Sequence, residues 1–565
     1  MATLSQERKL LDPSNKSSLP GTLFSFLKIE GPGWMLSAAA IGTGVLAGSI
    51  GLGMFLGLEA IWIQVLSMIL GVFVLSAISH ICLGSQQTLF NLIKNEWNPT
   101  LAWWLAGSAL LTNFAWCMPQ FRIGAEISGQ FLIPALSGKG GQVLIALAML
   151  FCAVAFSFLY EKSGMRASFI QWTIKGLVLV ISSLCIASLI ILLPHSTFSL
   201  SALFAGFLPS SQVLSETSPV YATLIQASGG ANDFWNEQIL EKQRSLVLTS
   251  FSSALGVNLI FAFPLLILGR GWERGHRKFA SFNLWTTCFV PFFIFSFTMV
   301  VLSSLAFYGD THGKLEETTD PAVHQILENR LVYEIGEHEF AKLAPFQVEE
   351  KINQLPPSEM KLANLLLGHS VDQLIDKLIS TANNSDSVKF ILALLVLLTA
   401  FSTIVVLMVV SGHLLCEVLG RPHKGALFQS GSLLLALSSV GPFIWAEQGK
   451  WVSDPTYFIS LAMMPFALIS IFLILNNKEL LGRERPSGFS GYLLVVGSAL
   501  SVLLLGSSSL YIAWNHTLFD LPAGKLLVVL IAALLIIGHF SLKNKKLANK
   551  ISGLETKLNH LQINK

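Results

Sequence analysis

The sequence predicts an all-α polytopic membrane protein with about 12 transmembrane helices, and three observations lead to this prediction. Hydrophobic residues make up 53% of the 565 residues and charged residues only 12%, which is more apolar surface than a water-soluble chain needs. Apolar runs of about 20 residues, the length that crosses a bilayer, recur along the chain. Lysine and arginine cluster at the ends of those runs.

Composition and motifs exclude several classes of function. The formal net charge of +3 is too small to suggest nucleic-acid binding. All six cysteines lie in apolar segments without a close pair, so they are interpreted as core residues rather than disulfides or metal ligands. The sequence lacks a phosphate-binding loop, HExxH and GxSxG. We therefore expect no enzyme and no cofactor, and any transport would be driven by an ion gradient or by facilitation.

The first half of the chain begins with a polar, basic tail at residues 1–30, which lacks the layout of a signal peptide. A first membrane segment is predicted at 31–308. Its spans are predicted at 34–57, 60–83, 102–134, 141–160, 168–193, one of 217–240 and 247–269, and 284–307.

The second half begins with a polar, charged segment at 309–387, whose helical patterning predicts a soluble insert. The membrane domain resumes at 388–541, and a basic tail follows at 542–565. The later spans are predicted at 389–415, 427–446, 455–475, 491–512 and 524–541.

Positive charges in the short loops set the predicted orientation. Most basic loops fall on one side if the protein lies in the inner (cytoplasmic) membrane with both termini in the cytoplasm. The loop at 270–278 joins that side only if one of 217–240 and 247–269 crosses, and the sequence leaves open which one does. This orientation places the insert at 309–387 outside the cytoplasm, where it is a candidate site for a protein partner.

A helix break is predicted in the first span, where Gly42, Thr43 and Gly44 interrupt the apolar run that follows Pro32. Two glycines near mid-membrane lower helix propensity. Interrupted helices of transporters often leave backbone carbonyls and half-helix ends free to hold a solute. The three residues are therefore candidate substrate-binding residues. The alternative is that the glycines only allow a neighbouring helix to approach closely.

A second group of candidate substrate-binding residues comprises Ser228, Gly229, Gly230, Asn232 and Asp233. An ionisable residue at membrane depth is a functional-site hypothesis by default, which makes Asp233 the candidate metal ligand. Its alternative is a hydrated carboxylate near the end of a half-helix. Asn232 could contact the solute or cap that half-helix.

Arg122 and Glu126 form a candidate coupling pair, because residues four apart share one face of a helix. A proton or gating relay and a purely structural ion pair both fit this spacing.

Several of these motifs resemble the Nramp (natural resistance-associated macrophage protein) superfamily of divalent-metal transporters, and its divergent bacterial branch in particular. Residues 31–44, which read GPGWMLSAAAIGTG, resemble the first helix of that branch. Residues 227–232 resemble the break in its sixth helix, 401–403 resemble the Phe-Ser-Thr of its eighth, and 118–129 are weakly similar to its third. The resemblance implies a LeuT-type fold of two inverted five-helix repeats, with helices 1 and 6 broken around a central site.

The sequence departs from the metal-transporting Nramps at both breaks. Those proteins have Asp-Pro-Gly-Asn in the first break, where this chain has residues 41–44, Ile-Gly-Thr-Gly. They have Met-Pro-His in the sixth helix, for which residues 228–230 are the proposed equivalent. Transition metals favour imidazole, thioether or carboxylate ligands. A harder ion such as magnesium, held partly through its own waters, is compatible with carbonyls and one carboxylate.

The predicted function is secondary transport of a small solute, most specifically a divalent metal cation, by alternating access within the lipid bilayer. A proton or a sodium ion is the candidate coupling ion. The alternatives are a non-transporting sensor on the same fold and a transporter of a non-metal solute.

Overall fold

A computed structural model gives the architecture of the chain. It describes residues 31–162, 165–195, 200–253, 255–309, 321–439, 441–444, 450–516, 522–533, 535–536 and 538. All regular elements within these ranges are helical, which confirms the prediction of an all-α protein. The predicted tails at 1–30 and 542–565, and the end of the last predicted span, lie outside the described residues.

The principal helices fall into three groups along the chain, joined by shorter helical turns. The first group is α1 Gly33–Ala40, α2 Thr43–Leu56, α3 Ile61–Ser85, α4 Pro99–Ile127, α5 Lys139–Glu161, α6 Met165–Leu192, α7 Asn232–Ser253, α8 Val257–Gly269, α9 Arg277–Asn283 and α10 Val290–Phe307. The insert contains α11 Pro321–Ile335, α12 Pro345–Asn353, α13 Pro357–Leu367 and α14 Val371–Thr381. The last group is α15 Asp386–Val418, α16 Ala426–Leu433, α17 Lys450–Asn476, α18 Gly488–Ser501 and α19 Ser507–Asn515.

The apolar helices are long enough for a multi-pass membrane protein. Within the described ranges, 9 continuous helical stretches have the length and hydropathy to cross a bilayer. One of them, Thr43–Ser85, contains both α2 and α3, because only a short turn at Gly57 separates the two helices. The long helix α15 packs along α4 and α6, and α2 packs along α10, so the core lies among these helices.

The structure places most of both candidate sixth spans in one broken helical stretch, Gly229–Gly269, which has the length and hydropathy to cross a bilayer. Residues 217–240 form short turns and the polar start of α7, whereas α8 and the end of α7 are almost fully buried. The loop after α8 then lies on the same face as the loop after α17, since Arg277 Nη1 is 2.7 Å from Glu484 Oε2. The two basic loops therefore share one side, as the charge bias requires.

Two of the apolar helices are broken. Between α1 and α2 the helical ladder ends with Ile41 N–H donating to Ser37 O (2.9 Å), and it resumes with Leu46 N–H donating to Gly42 O (3.1 Å). Gly42 itself is extended, with φ −76° and ψ −176°. The second break separates α7 from α8, where Gly256 is also extended, with φ −88° and ψ 155°.

The insert is helical as predicted, and its helices are joined by a buried ion pair. Glu359, which is fully buried, accepts from Arg330 at both oxygens, with Nε–Oε2 at 2.7 Å and Nη2–Oε1 at 3.2 Å. The insert rests on the turns before α7 and on the end of α10: Ser358 Oγ donates to Ala227 O (3.0 Å), and His369 stacks on Phe307 with ring centroids 4.1 Å apart.

Candidate functional site

Both helix breaks meet one face of α4. Gln120 Nε2 donates to Thr43 Oγ1 (2.9 Å) at the first break. Beside the second break, Asn258 Nδ2 donates to Asn113 Oδ1 (2.8 Å). Trp116 lies between these two α4 positions and contacts Gly256, since a Cβ built on that glycine would lie 3.0 Å from the indole ring. Spacings of three and four residues place all three α4 side chains on one face, so a single helix connects the two breaks.

The first break is tightly enclosed on one side and open on the other. A Cβ on Gly42 would lie 2.7 Å from Gln120 Nε2 and 3.2 Å from Thr403 Cγ2, so any side chain there would force Gln120 to shift. Thr403 Oγ1 also donates to Ala38 O (2.8 Å), which fastens α15 to the end of α1. Gly44 is exposed, and a Cβ there would contact nothing within 4 Å. The structure thus gives Gly42 a packing role and leaves Gly44 facing open space.

The C-terminal ends of two helices, α1 and α7, lie at the two breaks. The break releases the carbonyls of Ala39, Ala40 and Ile41 from the i→i+4 ladder of α1. The last turn of α7 is held by Ser67, whose Oγ donates to the carbonyls of Ser250 (3.2 Å) and Phe251 (3.0 Å). Helix C-termini have partial negative charge, so both ends favour a cation.

Several buried polar atoms at the breaks have no hydrogen-bond partner within the described part of the chain. They are Gln120 Oε1 and Asn258 Oδ1, together with the Ser37 hydroxyl. Gln64 and Ser250 form a second unpaired group, both near Gly48 of α2. Buried amide and hydroxyl oxygens without a partner are unfavourable unless something else satisfies them. All of these acceptors are hard oxygens, the donor type that Mg²⁺, Ca²⁺ and Mn²⁺ accept.

A cavity of about 600 Å³ adjoins the first break and is called here the outer vestibule. It lies between α2, α4, α7 and the turn that joins α13 to α14. Its charged and polar lining includes Arg122, Glu126, Lys242, His369 and Asp372. Ala47 of α2 and Pro119 of α4 also line it, the latter directly before Gln120. The vestibule therefore reaches to within about one helical turn of the break.

The predicted coupling pair lies in the outer vestibule. Arg122 Nε is 3.8 Å from Glu126 Oε2, and the two side chains are 58% and 35% exposed. Such an exposed pair contributes little to stability, so the structure assigns it no strong packing role.

The second group of predicted site residues does not lie at the breaks, so the structure does not bring it together with Gly42–Gly44. A substrate role for these residues stays a prediction. Helix α7 is continuous from Asn232 to Ser253, so about 30 Å separates Asp233 from the second break. Asp233 is exposed, and the Asn232 side-chain amide donates to Ser228 Oγ (3.1 Å) and Gly229 O (2.9 Å) within a turn. Gly229 and Gly230 are exposed in the same turn, which contacts the insert through Ala227.

The sequence interpretation missed the residues that form the second break and the polar face of α4. Helix α7 ends at Ser253 and α8 begins at Val257, with Asn258 in its first turn. A signal was available: Asn113, Gln120 and Asn258 are amide side chains inside long apolar runs, and all three are at most 2% exposed. A buried amide in a membrane span needs a partner, which makes it a candidate for function.

Comparison with known proteins assigns the chain to a family. Residues 33–331, just over half of the chain, match the family of natural resistance-associated macrophage protein-like (Nramp) proteins. No curated protein sequence matches the chain.

Solved structures agree on the fold. A structure of the Eremococcus coleocola manganese transporter is similar over 96% of this chain and 100% of its own, with 14% identity and a TM-score of 0.63. A structure of a single-residue variant of the same transporter covers the same shares, with 13% identity and a TM-score of 0.58. This likeness confirms the predicted LeuT-type helical fold, and the family match shows that the chain is a member of the Nramp family.

Proposed function

We propose that this protein is a gradient-driven secondary transporter of a small, hard divalent cation, with magnesium as the best match to its site. The supporting observation is the convergence of two helix breaks on α4, with the unpaired buried oxygens of Gln120 and Asn258 beside released backbone carbonyls. Mg²⁺ keeps several of its waters and accepts neutral oxygens. A site of amides, hydroxyls and carbonyls suits such a partly hydrated ion.

Membership of the Nramp family and the likeness to a manganese transporter support a metal cargo. The choice among cations rests on the donors. The polar side chains at the two breaks are amides and hydroxyls, whereas the softer transition metals select imidazole and thioether ligands. We therefore expect the site to favour hard cations such as Mg²⁺ over the softer transition metals such as Zn²⁺ and Cu²⁺, and the uptake assay compares Mg²⁺ with Mn²⁺ directly.

The outer vestibule supplies the entry path in this proposal, with the protein in the cytoplasmic membrane and both termini inside. The basic loops then face the cytoplasm, and the insert and the vestibule face outward. Alternating access closes the vestibule and opens the opposite side of the breaks.

Glu126 is the candidate for proton coupling, because its half-buried carboxylate faces the vestibule beside Arg122. If protons drive transport, Glu126→Gln uncouples uptake from an imposed proton gradient but leaves cation binding in place. A sodium-driven protein would instead respond to a sodium gradient, and Glu126→Gln would leave that response unchanged.

The test is uptake into proteoliposomes of ²⁸Mg²⁺ and ⁵⁴Mn²⁺ under an imposed inward proton or sodium gradient, with protein-free liposomes as the control. We expect Mg²⁺ uptake that collapses when an ionophore removes the gradient. Failure to accumulate either cation, by protein that elutes as a single folded species, would contradict the proposal.

A further inference from the structure

A second cavity, of about 290 Å³, lies on the face of the protein that has the basic loops, far from the outer vestibule. Three segments meet there: the end of α3, the start of α9 and the chain that leads into α18. The cavity shares no lining residue with the outer vestibule. It is called here the basic pocket, and its polar lining includes Ser79, His80, Arg277, Lys278, Arg483 and Arg485.

The basic pocket has an uncompensated positive charge. Among the described residues that line it, four are Lys or Arg and one, Glu484, has a carboxylate. That carboxylate is already engaged at both oxygens: Oε1 is 3.0 Å from Arg274 Nη1, and Oε2 is 2.7 Å from Arg277 Nη1. The charges of Lys278, Arg483 and Arg485 are therefore left for an anion.

Guanidinium donors in the pocket also lack acceptors. Arg277 Nε and Arg485 Nε are both buried, and neither has a hydrogen-bond partner among the described residues. A buried charged donor without an acceptor is strongly unfavourable. Guanidinium groups pair with phosphate oxygens through charge-assisted hydrogen bonds. The hydroxyls of Ser487 and Ser490 line the same cavity and can donate to the same group.

The surroundings of the pocket indicate which kind of phosphate-bearing molecule it suits. Helix α18 supplies Ser490 and Leu494 to the cavity, while Phe489 and Tyr492 on the same helix are 78% and 66% exposed. Aromatic side chains of this kind collect at the membrane–water interface. A basic pocket between membrane helices, bordered by exposed apolar side chains, suits a phosphate that is attached to acyl chains.

We propose that the basic pocket binds the phosphate headgroup of an anionic phospholipid from the leaflet that adjoins the basic loops. This inference is independent of the transported solute, because it rests on a different cavity.

The experiment uses the full-length protein in detergent, with phosphatidylglycerol as the probe and phosphatidylcholine and inorganic phosphate as comparisons. Bound lipid is counted by native mass spectrometry. The double variant Lys278→Gln/Arg485→Gln should lower phosphatidylglycerol affinity by about tenfold, the effect expected when charge-assisted hydrogen bonds are lost. Arg483→Gln, an exposed single change, should lower it less and serves as a second variant if the double one does not fold.

The matched control is Arg421→Gln/Lys424→Gln, which removes two exposed basic residues from another loop of the same face. We expect it to retain phosphatidylglycerol like the parent protein, and phosphatidylcholine to be retained by none of the variants. Equal phosphatidylglycerol retention by the pocket and control variants would overturn the proposal. Displacement of phosphatidylglycerol by inorganic phosphate at equal concentration would also overturn it, since the site would then recognise free phosphate.

Discussion

Two glycine-containing stretches of this chain look alike in sequence and differ completely in structure. Gly42-Thr43-Gly44 lies at a true helix break, where Gly42 packs against Gln120 and Thr403. Ser228-Gly229-Gly230 lies in a turn beside the insert, at the opposite end of α7 from the second break; its two glycines are exposed and Ser228 is buried. We infer from this difference that small residues indicate a break within a membrane helix only where the apolar sequence continues on both sides of them. Gly42 meets this condition, and so does Gly256, which separates Ser253 from the apolar α8.

The largest expected effect distinguishes the two stretches by steric contact. Gly42→Val places a branched side chain where even a Cβ would be 2.7 Å from Gln120 Nε2, so we expect cation uptake to fall to background. A Cβ on Gly230 contacts nothing within 4 Å, and Gly230→Val should change uptake by no more than about twofold. Initial uptake rates in proteoliposomes, normalised to the amount of folded protein, measure the effect of each variant. Similar losses of cation uptake in the two variants would contradict the proposed difference between the two stretches.

The next effect tests the amide that joins the first break to α4. Gln120→Leu removes the bond to Thr43 and the unpaired Oε1, and should slow uptake by about tenfold, the effect of losing one strong polar contact. Gln142→Leu is the matched control, because Gln142 lies in the first turn of α5, away from both breaks, and its side chain donates to Ser137 O (3.0 Å). If both variants transport at the parent rate, the amide is not part of the site.

A smaller and local effect concerns the insert on which residues 228–230 rest. Glu359→Gln leaves the buried Arg330 guanidinium without its buried charged partner, and should destabilise the insert by about 3 kcal/mol. Glu334 is 56% exposed and pairs with the same arginine, so Glu334→Gln should cost less than about 1 kcal/mol. Hydrogen exchange of α11 and α13 amides in the full-length protein measures both. Equal protection in the two variants would show that the buried pair does not hold the insert.

Most of the fold could be predicted from the sequence because it depends on the length of the apolar runs and on the glycine and proline residues that interrupt them. The predicted span 34–57 corresponds to α1 and α2, and 389–415 corresponds to most of α15. The first break could be predicted for the same reason, since Gly42 interrupts an apolar run of membrane-spanning length.

The second break could not be located because its sequence signal is weak, and a stronger but misleading signal lies nearby in the chain. Ser253 to Gly256 offers a single glycine, whereas residues 228–230 offer two glycines next to an ionisable Asp233. Long-range contacts were also inaccessible: nothing in the sequence shows that Asn258 meets Asn113 across 145 positions. The site depends on such contacts, and the spans do not.

The most direct test of the account compares uptake by Asn258→Leu and Asp233→Ala in proteoliposomes under the same gradient. Asn258 lies beside the second break and bonds to Asn113 at 2.8 Å, whereas Asp233 is exposed at the far end of α7. We predict that Asn258→Leu lowers the initial rate by about tenfold and that Asp233→Ala stays within about twofold of the parent protein. A loss of uptake in Asp233→Ala with full activity in Asn258→Leu would contradict the account and return the site to residues 228–233.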